Sequence, residues 1–306
     1  MNAKDLNPRL QVARLPDGRL HLHDGPIDLI LSADGPADAR VAGFRAATLA
    51  LAPVLDRLCS ELPLLRSPVR ASADHLAGPV ARRMHRACAP LAAYGFITPM
   101  AAVAGSVAEE VLAALISQGG LSRAAVNNGG DIAFHLEPGS TYTIGLVDDV
   151  DAPRIDGATT IGWADPIRGV ATSGRGGRSF SLGIADAVTV LAESASKADA
   201  AATVIGNAVD LPSHPAVNRV PAATLQPDSD LGDRLVTRAV GRLTPAEIDE
   251  ALDRGLAIAE DLVEQGLIHA AALRLRGRVR IAGTPPAAAS IPHQDRRPGR
   301  GLPWPT

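Results

Sequence analysis

The sequence has few aromatic residues, few cysteines and little net charge. Phe, Trp and Tyr make up 3% of its 306 residues, which argues against the aromatic stacking surfaces that bind single-stranded nucleic acid. The formal net charge is −3, and no basic cluster outweighs its surroundings before the C-terminal segment. A general polyanion-binding protein would carry a basic face. We therefore predict no nucleic-acid partner.

Signals for secretion and for membrane insertion are also missing. The N-terminal segment lacks a charged start followed by an apolar stretch. No run approaches the roughly 18 consecutive apolar residues that indicate a membrane helix. We predict a cytoplasmic protein without a membrane segment. The two cysteines, Cys59 and Cys88, form no CxxC pair and are interpreted as reduced, buried thiols.

Three short segments with alternating apolar and polar residues open the chain, separated by turns at 16–18 and 24–26. This pattern predicts three antiparallel strands. His21 and His23 lie two residues apart and so share one strand face. They could form a metal pair, but because no third ligand is nearby we interpret them as exposed strand histidines.

Strand and helix patterns are interleaved through the rest of the chain, and the opening and closing hairpins are antiparallel. We therefore predict an α+β fold, a single domain over residues 1–283 in which mixed, largely antiparallel sheets pack against helices. A helix from about residue 40 should break at Pro53, and a capping box at Thr244–Glu247 should open another. The proline-rich stretch 211–233 is interpreted as a long connection, and residues 284–306 as a Pro/Arg-rich flexible tail.

The stretch 183–210 changes from strand to helix periodicity. A buried strand is predicted at 187–192, followed by a helix over 197–209 with Ser196 as its N-cap and Asp199 in its first turn. Asp199 and Thr203 are four residues apart and lie on one helix face. Two hard oxygen donors on a rigid face could hold Mg²⁺. Alternatively, Asp199 only caps the helix and Thr203 only fills a packing gap.

Two glycine-rich breaks interrupt apolar strands, at 127–130 and at 169–177. Such breaks bring backbone N–H groups to the surface, where they can bind a phosphate or carbonyl oxygen. Neither break matches the Walker loop or the GxGxxG fingerprint. With the Asp199/Thr203 face, they indicate a pocket suited to a pyrophosphate.

Three motifs stand in a recognisable order: VNNGGDI at 126–132, ATSG at 171–174, and VTV at 188–190 followed by ADAAAT at 198–203. They resemble the ApbE superfamily, flavin transferases that use FAD and magnesium to attach FMN to a threonine of a target protein. The segment TPMAAVAG at 98–105 and the NNGGDIA form are similar to UPF0280, a shorter branch without an assigned function. The resemblance covers residues 95–210 well and the flanks in outline.

The resemblance implies an ApbE-like fold, Mg²⁺ ligands at Asp199 and Thr203, and FAD as a cofactor, but it assigns no catalytic residue. The positions implied to border the flavin dinucleotide are Asn128, Gly129, Gly130, Asp131, Thr172, Ser173 and Gly174. The implied partners are a flavin or another pyrophosphate-containing small molecule and an acceptor protein. The implied reaction is FMN transfer or pyrophosphate cleavage.

Two elements of the transferases are missing. They place a lysine in the glycine-rich turn where this chain has AVAGSVAEE, and a His-Ile-Ile-Asp-Pro-like segment where it has RGGRSFSLGIADA. The alternative is a non-catalytic ligand-binding or accessory protein of redox or sulfur metabolism that keeps the scaffold. Asp186 either replaces a lost carboxylate or ends a loop.

Overall fold

A nine-stranded sheet organises the computed structural model, which describes residues 7–69, 72–147, 155–177 and 179–286. Every strand pairing within this sheet is antiparallel. In spatial order the strands are β1 (Gln11–Arg14), β2 (Leu20–Asp24), β3 (Ile27–Asp34), β4 (Arg123–Asn128), β5 (Asp131–Leu136), β8 (Gly169–Ser173), β9 (Ala187–Ala192), β12 (Ala270–Leu275) and β13 (Arg278–Gly283). Two further antiparallel pairs are β6 (Thr141–Val147) with β7 (Ile155–Gly162), and β10 (Val217–Pro221) with β11 (Leu235–Val240).

Helices cover one face of the large sheet. The helices of the described residues are α1 (Ala37–Leu51), α2 (Val54–Ser60), α3 (Leu62–Leu65), α4 (Pro79–Cys88), α5 (Val103–Ile116), α6 (Ala195–Ala208), α7 (Ala222–Leu225) and α8 (Pro245–Glu264), with 3-10 turns at Ala89–Tyr94 and Pro99–Ala102. Helices α5 and α6 contact each other in the middle of this layer, α5 against β4 and β5 and α6 against β8 and β9. The main core lies between this layer and the sheet.

The opposite face of the sheet is covered in its central part by the β6–β7 hairpin. Phe134, Ile144, Ile161 and Leu191 form a second, smaller apolar cluster there. The ring of Phe134 stacks on Tyr142 with centroids 5.2 Å apart. The helix-covered face and this outer face of the sheet therefore have separate cores.

The α+β prediction with largely antiparallel sheets is confirmed. The break at Pro53 separates α1 from α2, and the capping box forms as predicted, with the Thr244 hydroxyl accepting from the Glu247 N–H. The strand predicted at 187–192 is β9. Helix and strand boundaries were therefore predicted correctly where the sequence has a capping box, a proline or an apolar run.

Three local predictions were wrong. The N-cap of α6 is Ser194, whose hydroxyl accepts from the Lys197 N–H at 3.4 Å, so Ser196 lies inside the first turn. The stretch 211–233 contains β10 and α7 rather than connection alone. Cys59 is exposed, whereas Cys88 is buried. Residues 287–306 of the predicted tail lie outside the described residues.

The segment Pro99–Ile116 is long and apolar enough to cross a membrane by length and composition, with a mean hydropathy of 1.5. Half of it is buried inside the fold. The part that forms α5 packs against α1, α4 and α6 and against β4 and β5. The apolar side chains of α5 thus contribute to the core between the helices and the sheet.

Candidate functional site

A cleft of about 370 Å³, lined by polar and apolar residues in similar measure, opens beside α6, where β4, β5 and β8 end or begin. Eight of the nine residues singled out in the sequence line it: Asn128, Gly129, Asp131, Thr172, Ser173, Gly174, Asp199 and Thr203. Gly130 is not in the lining. The fold thus brings together three motifs that are far apart in the chain.

The glycine-rich break at 127–130 is a two-residue hairpin turn between β4 and β5. Gly129 and Gly130 have φ values of +67° and +111°, a conformation that favours glycine at both positions of a tight hairpin. The Gly130 N–H donates to the Asn127 side-chain oxygen at 2.8 Å. Asn128 is 5% exposed, and its side-chain amide donates to the carbonyl oxygen of Ala104 at 3.1 Å. The turn is therefore fixed against the first turn of α5.

The start of β5 and the end of β8 meet because these strands are antiparallel. An oxygen of the Asp131 carboxylate accepts from the Thr172 N–H at 3.3 Å. The Thr172 hydroxyl lies 2.9 Å from that of Thr189 on the next strand. At Gly174, with φ +147°, a Cβ would lie 2.6 Å from the Asp186 carbonyl oxygen. The second glycine-rich break is thus a crowded strand end where no side chain fits.

Asp199 joins the two central helices. Helix α6 approaches α5 so closely that a Cβ on Gly105 would lie 2.4 Å from the Ala195 carbonyl oxygen. Across this contact the Asp199 carboxylate accepts from the Gly105 N–H at 2.9 Å. That N–H belongs to the first turn of α5, where backbone donors lack partners within the helix. Asp199 therefore caps α5 and not α6, which corrects the sequence-based capping interpretation.

Capping leaves Asp199 able to contact a cation, since a carboxylate has two oxygens that accept on several sides. Burial raises the pKa of Asp199 well above its ordinary value, the Asp131 carboxylate raises that pKa further, and the N–H groups of Gly105 and Ala104 lower it in part. Two carboxylates in one confined site are electrostatically unfavourable unless a positive charge lies near them.

Thr203 follows Asp199 by one helical turn and also lines the cleft. Among the described lining residues there is no histidine or cysteine, and the side chains that could hold a cation carry carboxylate, hydroxyl or amide oxygens. This donor chemistry fits Mg²⁺, which prefers hard oxygen ligands.

The far wall of the cleft was missed in the sequence. Arg66 pairs with Asp228 at 2.8 Å, and the Thr98 hydroxyl donates to Asp230 at 2.5 Å. Next to this wall the Arg234 guanidinium lies 3.3 Å from the centroid of the Phe96 ring. The acidic pair in the sequence DSD at 228–230 was the only local signal, inside a stretch interpreted as a connection.

Asp186 has a structural role. It forms an ion pair with Arg175 and accepts from the Arg276 backbone N–H at 2.6 Å. It does not belong to the cleft lining. The structure therefore favours the interpretation of Asp186 as a loop-ending residue, tied to the β12–β13 turn, over that of a replacement carboxylate.

Fold and site together define a class: an α+β protein whose wide antiparallel sheet carries a cleft with several aspartates at the junction of two packed helices. The chain belongs to the family described as AbpE bacteria, which matches residues 12–281. Family membership confirms the resemblance inferred from the three motifs. The resemblance to UPF0280 agrees with curated relatives that carry this name.

Solved structures and curated relatives are both similar to this chain. The ApbE protein of Thermotoga maritima superimposes with a TM-score of 0.46 and 13% identity, covering 89% of this chain and 97% of that one. The apo flavinyl transferase ApbE of Pseudomonas stutzeri gives a TM-score of 0.40 and 16% identity, covering 90% and 95%.

Two curated relatives are archaeal UPF0280 proteins. That of Methanopyrus kandleri is 41% identical over 158 residues, 50% of this chain and 59% of the relative. That of Methanothermobacter thermautotrophicus is 40% identical over 141 residues, 44% of this chain and 50% of the relative. The chain thus spans about half the length of the curated relatives it matches.

Proposed function

We propose that the protein binds FAD, or another molecule containing a pyrophosphate, in this cleft together with Mg²⁺ held by Asp199 and Thr203. The observation that carries the proposal is the charge of the cleft. Among the described residues that line it, four are aspartates and one is an arginine. Such a site repels a pyrophosphate on its own and accepts it once a divalent cation is present.

The four aspartates are not equivalent. Asp228 is paired with Arg66 and Asp230 accepts from Thr98, so their negative charge is partly compensated by the protein. Asp131 and Asp199 lie on the other side, where each accepts a backbone N–H bond and the two carboxylates interact unfavourably with each other. The cation is therefore expected between the sheet and α6, beside these two residues.

The glycine turn provides the approach for the phosphate groups. Gly129 of this turn lines the cleft, so its backbone is within reach of a ligand bound there. Strand ends and turns of this kind present N–H groups to anionic oxygens. Asn128, fixed by its bond to Ala104, holds the turn in place for this contact.

For an ApbE-type reaction the balance is simple. A hydroxyl oxygen forms a new bond to the FMN phosphorus, the pyrophosphate P–O bond breaks, and AMP and one proton leave. With water in place of the hydroxyl, the same step is pyrophosphate cleavage. Bound Mg²⁺ supplies Lewis-acid stabilisation of the negative charge on the phosphate oxygens. Asp199, which the Gly105 N–H holds in position, would be one of the residues that hold this ion.

A second function is a non-catalytic one, in which the cleft binds the dinucleotide without transfer. It is supported by the segment that replaces the His-Ile-Ile-Asp-Pro-like element, because its carboxylate, Asp186, is engaged by Arg175 and Arg276 away from the cleft. An accessory role in redox or sulfur metabolism would then use binding alone.

Binding is tested first, by quenching of FAD fluorescence with Mg²⁺ or with EDTA. We expect Mg²⁺-dependent binding that weakens at least about tenfold in Asp199→Asn, and less in Thr203→Val, as oxygen ligands are lost. Asp253→Asn and Thr224→Val are matched controls, since both residues are exposed helix positions outside the cleft lining. Equal binding in Asp199→Asn and in the controls would contradict the metal assignment.

Chemistry is tested by chromatography of AMP after incubation with FAD and Mg²⁺, with water alone and with an acceptor protein carrying the target threonine of an ApbE substrate. AMP release that is lost in Asp199→Asn supports the enzyme. FAD binding without AMP in either reaction supports the non-catalytic function. Absence of Mg²⁺-dependent binding of FAD, and of ADP or inorganic pyrophosphate in the same assay, contradicts both.

A further inference from the structure

Three potential metal ligands meet on the outer face of β2 and β3. His21 and His23 lie two residues apart on β2, and Asp28 on β3 is the direct cross-strand partner of His23. One ligand atom from each side chain lies within 4.8 Å of the others. His21 Nε2 is 2.5 Å from an oxygen of Asp28. The interpretation of the two histidines as a pair without a third ligand was therefore wrong.

The hairpin geometry produces this arrangement. A two-residue turn at Gly25 and Pro26 sets Asp24 opposite Ile27, and the next pair is His23 opposite Asp28. Strand alternation places Leu22 and Asp24 in the helix-side core at 0% exposure. The two histidines consequently point to the opposite face. Cross-strand neighbours have Cβ atoms about 5 Å apart, a distance that suits three side chains around one ion.

We propose that His21, His23 and Asp28 form a binding site for a divalent transition metal, with Zn²⁺ as its best match. Two imidazole nitrogens and one carboxylate oxygen are ligands that zinc takes readily, whereas Mg²⁺ prefers oxygen alone. Three protein ligands leave the fourth tetrahedral position to water or to a ligand. The side chains of His21 and Asp28 are 34% and 47% exposed, so an ion reaches them directly from solvent.

This site is separate from the cleft. Strand alternation places Asn128 and Asp131 on the helix side of the sheet, together with Leu29 and Val126 of the main core, and the histidines on the other side. Within the described parts of the chain, these three residues are the one group of three or more His, Cys, Asp or Glu side chains close enough to hold an ion. The site thus differs from the cleft both in position and in ligand chemistry.

The chain contains a matched control. His135 on β5 is also paired with a carboxylate, with Nε2 3.1 Å from an oxygen of Glu137. Around this pair the described residues offer no third ligand. A histidine–carboxylate pair alone is a poor metal site, so His135→Ala removes a comparable contact without removing the proposed site.

The test is calorimetric titration of the full chain with Zn²⁺ in excess Mg²⁺, which occupies oxygen-only sites. We expect one Zn²⁺ equivalent in the unmodified protein and in His135→Ala. Zn²⁺ affinity should fall at least about tenfold in His21→Gln, His23→Gln and Asp28→Asn. Circular dichroism checks that each variant is folded, and all three positions are partly solvent-exposed.

Visible absorption of bound Co²⁺ tests the same three ligands by an independent measurement. Bound Co²⁺ reports its ligands through its visible absorption, and the bands of the unmodified protein should be lost in the double variant His21→Gln/His23→Gln but kept in His135→Ala. Unchanged Zn²⁺ stoichiometry and Co²⁺ bands in the folded double variant would overturn the site. So would a lack of Zn²⁺ uptake by the unmodified protein.

Discussion

The two faces of the large sheet carry different chemistry. On the helix side, a cleft surrounds the Asp131 and Asp199 carboxylates with hydroxyl and backbone groups. On the outer side, two imidazoles and one carboxylate lie on the β2–β3 hairpin. The first donor set suits hard cations and the second suits transition metals.

The difference between the faces follows from how each is assembled. The outer group needs only one hairpin, because its three side chains come from residues 21–28. The cleft needs a turn, a strand end and two helices that approach at Gly105 and Ala195. A local site survives many changes elsewhere in the fold, whereas the cleft depends on long-range packing.

A large expected effect tests that dependence at Gly169, the first residue of β8. A Cβ there would lie 2.0 Å from the Ser194 carbonyl carbon and 2.1 Å from the Ala195 nitrogen. Because backbone cannot yield as a flexible side chain does, Gly169→Ala should cost at least the roughly 3 kcal/mol of severe overpacking. Gly162→Ala, where the nearest contact is at an ordinary 3.5 Å, is the control. Similar urea-unfolding midpoints for the two variants would contradict the close packing.

Phe134→Ala tests the outer core, with an expected loss of about 3–5 kcal/mol for a buried aromatic side chain. Phe134 is 1% exposed and stacks on Tyr142. Because its side chain lies on the face away from the cleft, the folded fraction should still bind FAD with Mg²⁺. Unfolding and FAD-quenching measurements on the same sample separate the two properties. Loss of FAD binding in the fraction that is still folded would show that the two faces of the sheet are coupled.

A comparison of Mg²⁺ with Zn²⁺ separates the two sites. A substitution at either site should weaken the affinity of that site for its own ion by at least about tenfold, or roughly 1.4 kcal/mol. Asp199→Asn should remove the increase in Tm given by Mg²⁺ and keep that given by Zn²⁺. His23→Gln should do the reverse. Scanning fluorimetry with each ion measures both. A variant that loses both responses would contradict independent sites.

Thiol labelling is the mildest test, because it uses the protein without any substitution. Burial raises the pKa of Cys88 well above its usual value, and the negative charge of Asp199 raises it further, so little reactive thiolate forms. Cys59 is exposed. Iodoacetamide should modify Cys59 alone in the native protein and both residues after denaturation, as read by peptide mass spectrometry. Native labelling of Cys88 at the rate of Cys59 would contradict a closed helix-side core.

Features that depend on neighbouring residues could be predicted from the sequence. Contacts between residues far apart in the chain could not. Strand β9 and the capping box of α8 could be predicted because their signals lie within a few residues. The hydrogen bond from Gly105 to Asp199 could not, since it joins residues 94 positions apart through helix packing. Asp28 was a different case, because the two-residue turn already implies its register opposite His23.

The bond between Gly105 and Asp199 has a practical consequence. It attaches one backbone N–H at the start of α5 to a carboxylate at the cleft. A change in charge at that carboxylate alters the polarisation of the N–H, and so its NMR chemical shift and its rate of hydrogen exchange. The Gly105 amide is therefore a built-in reporter, by which the proposed binding of an ion or a nucleotide in the cleft can be tested without any label there.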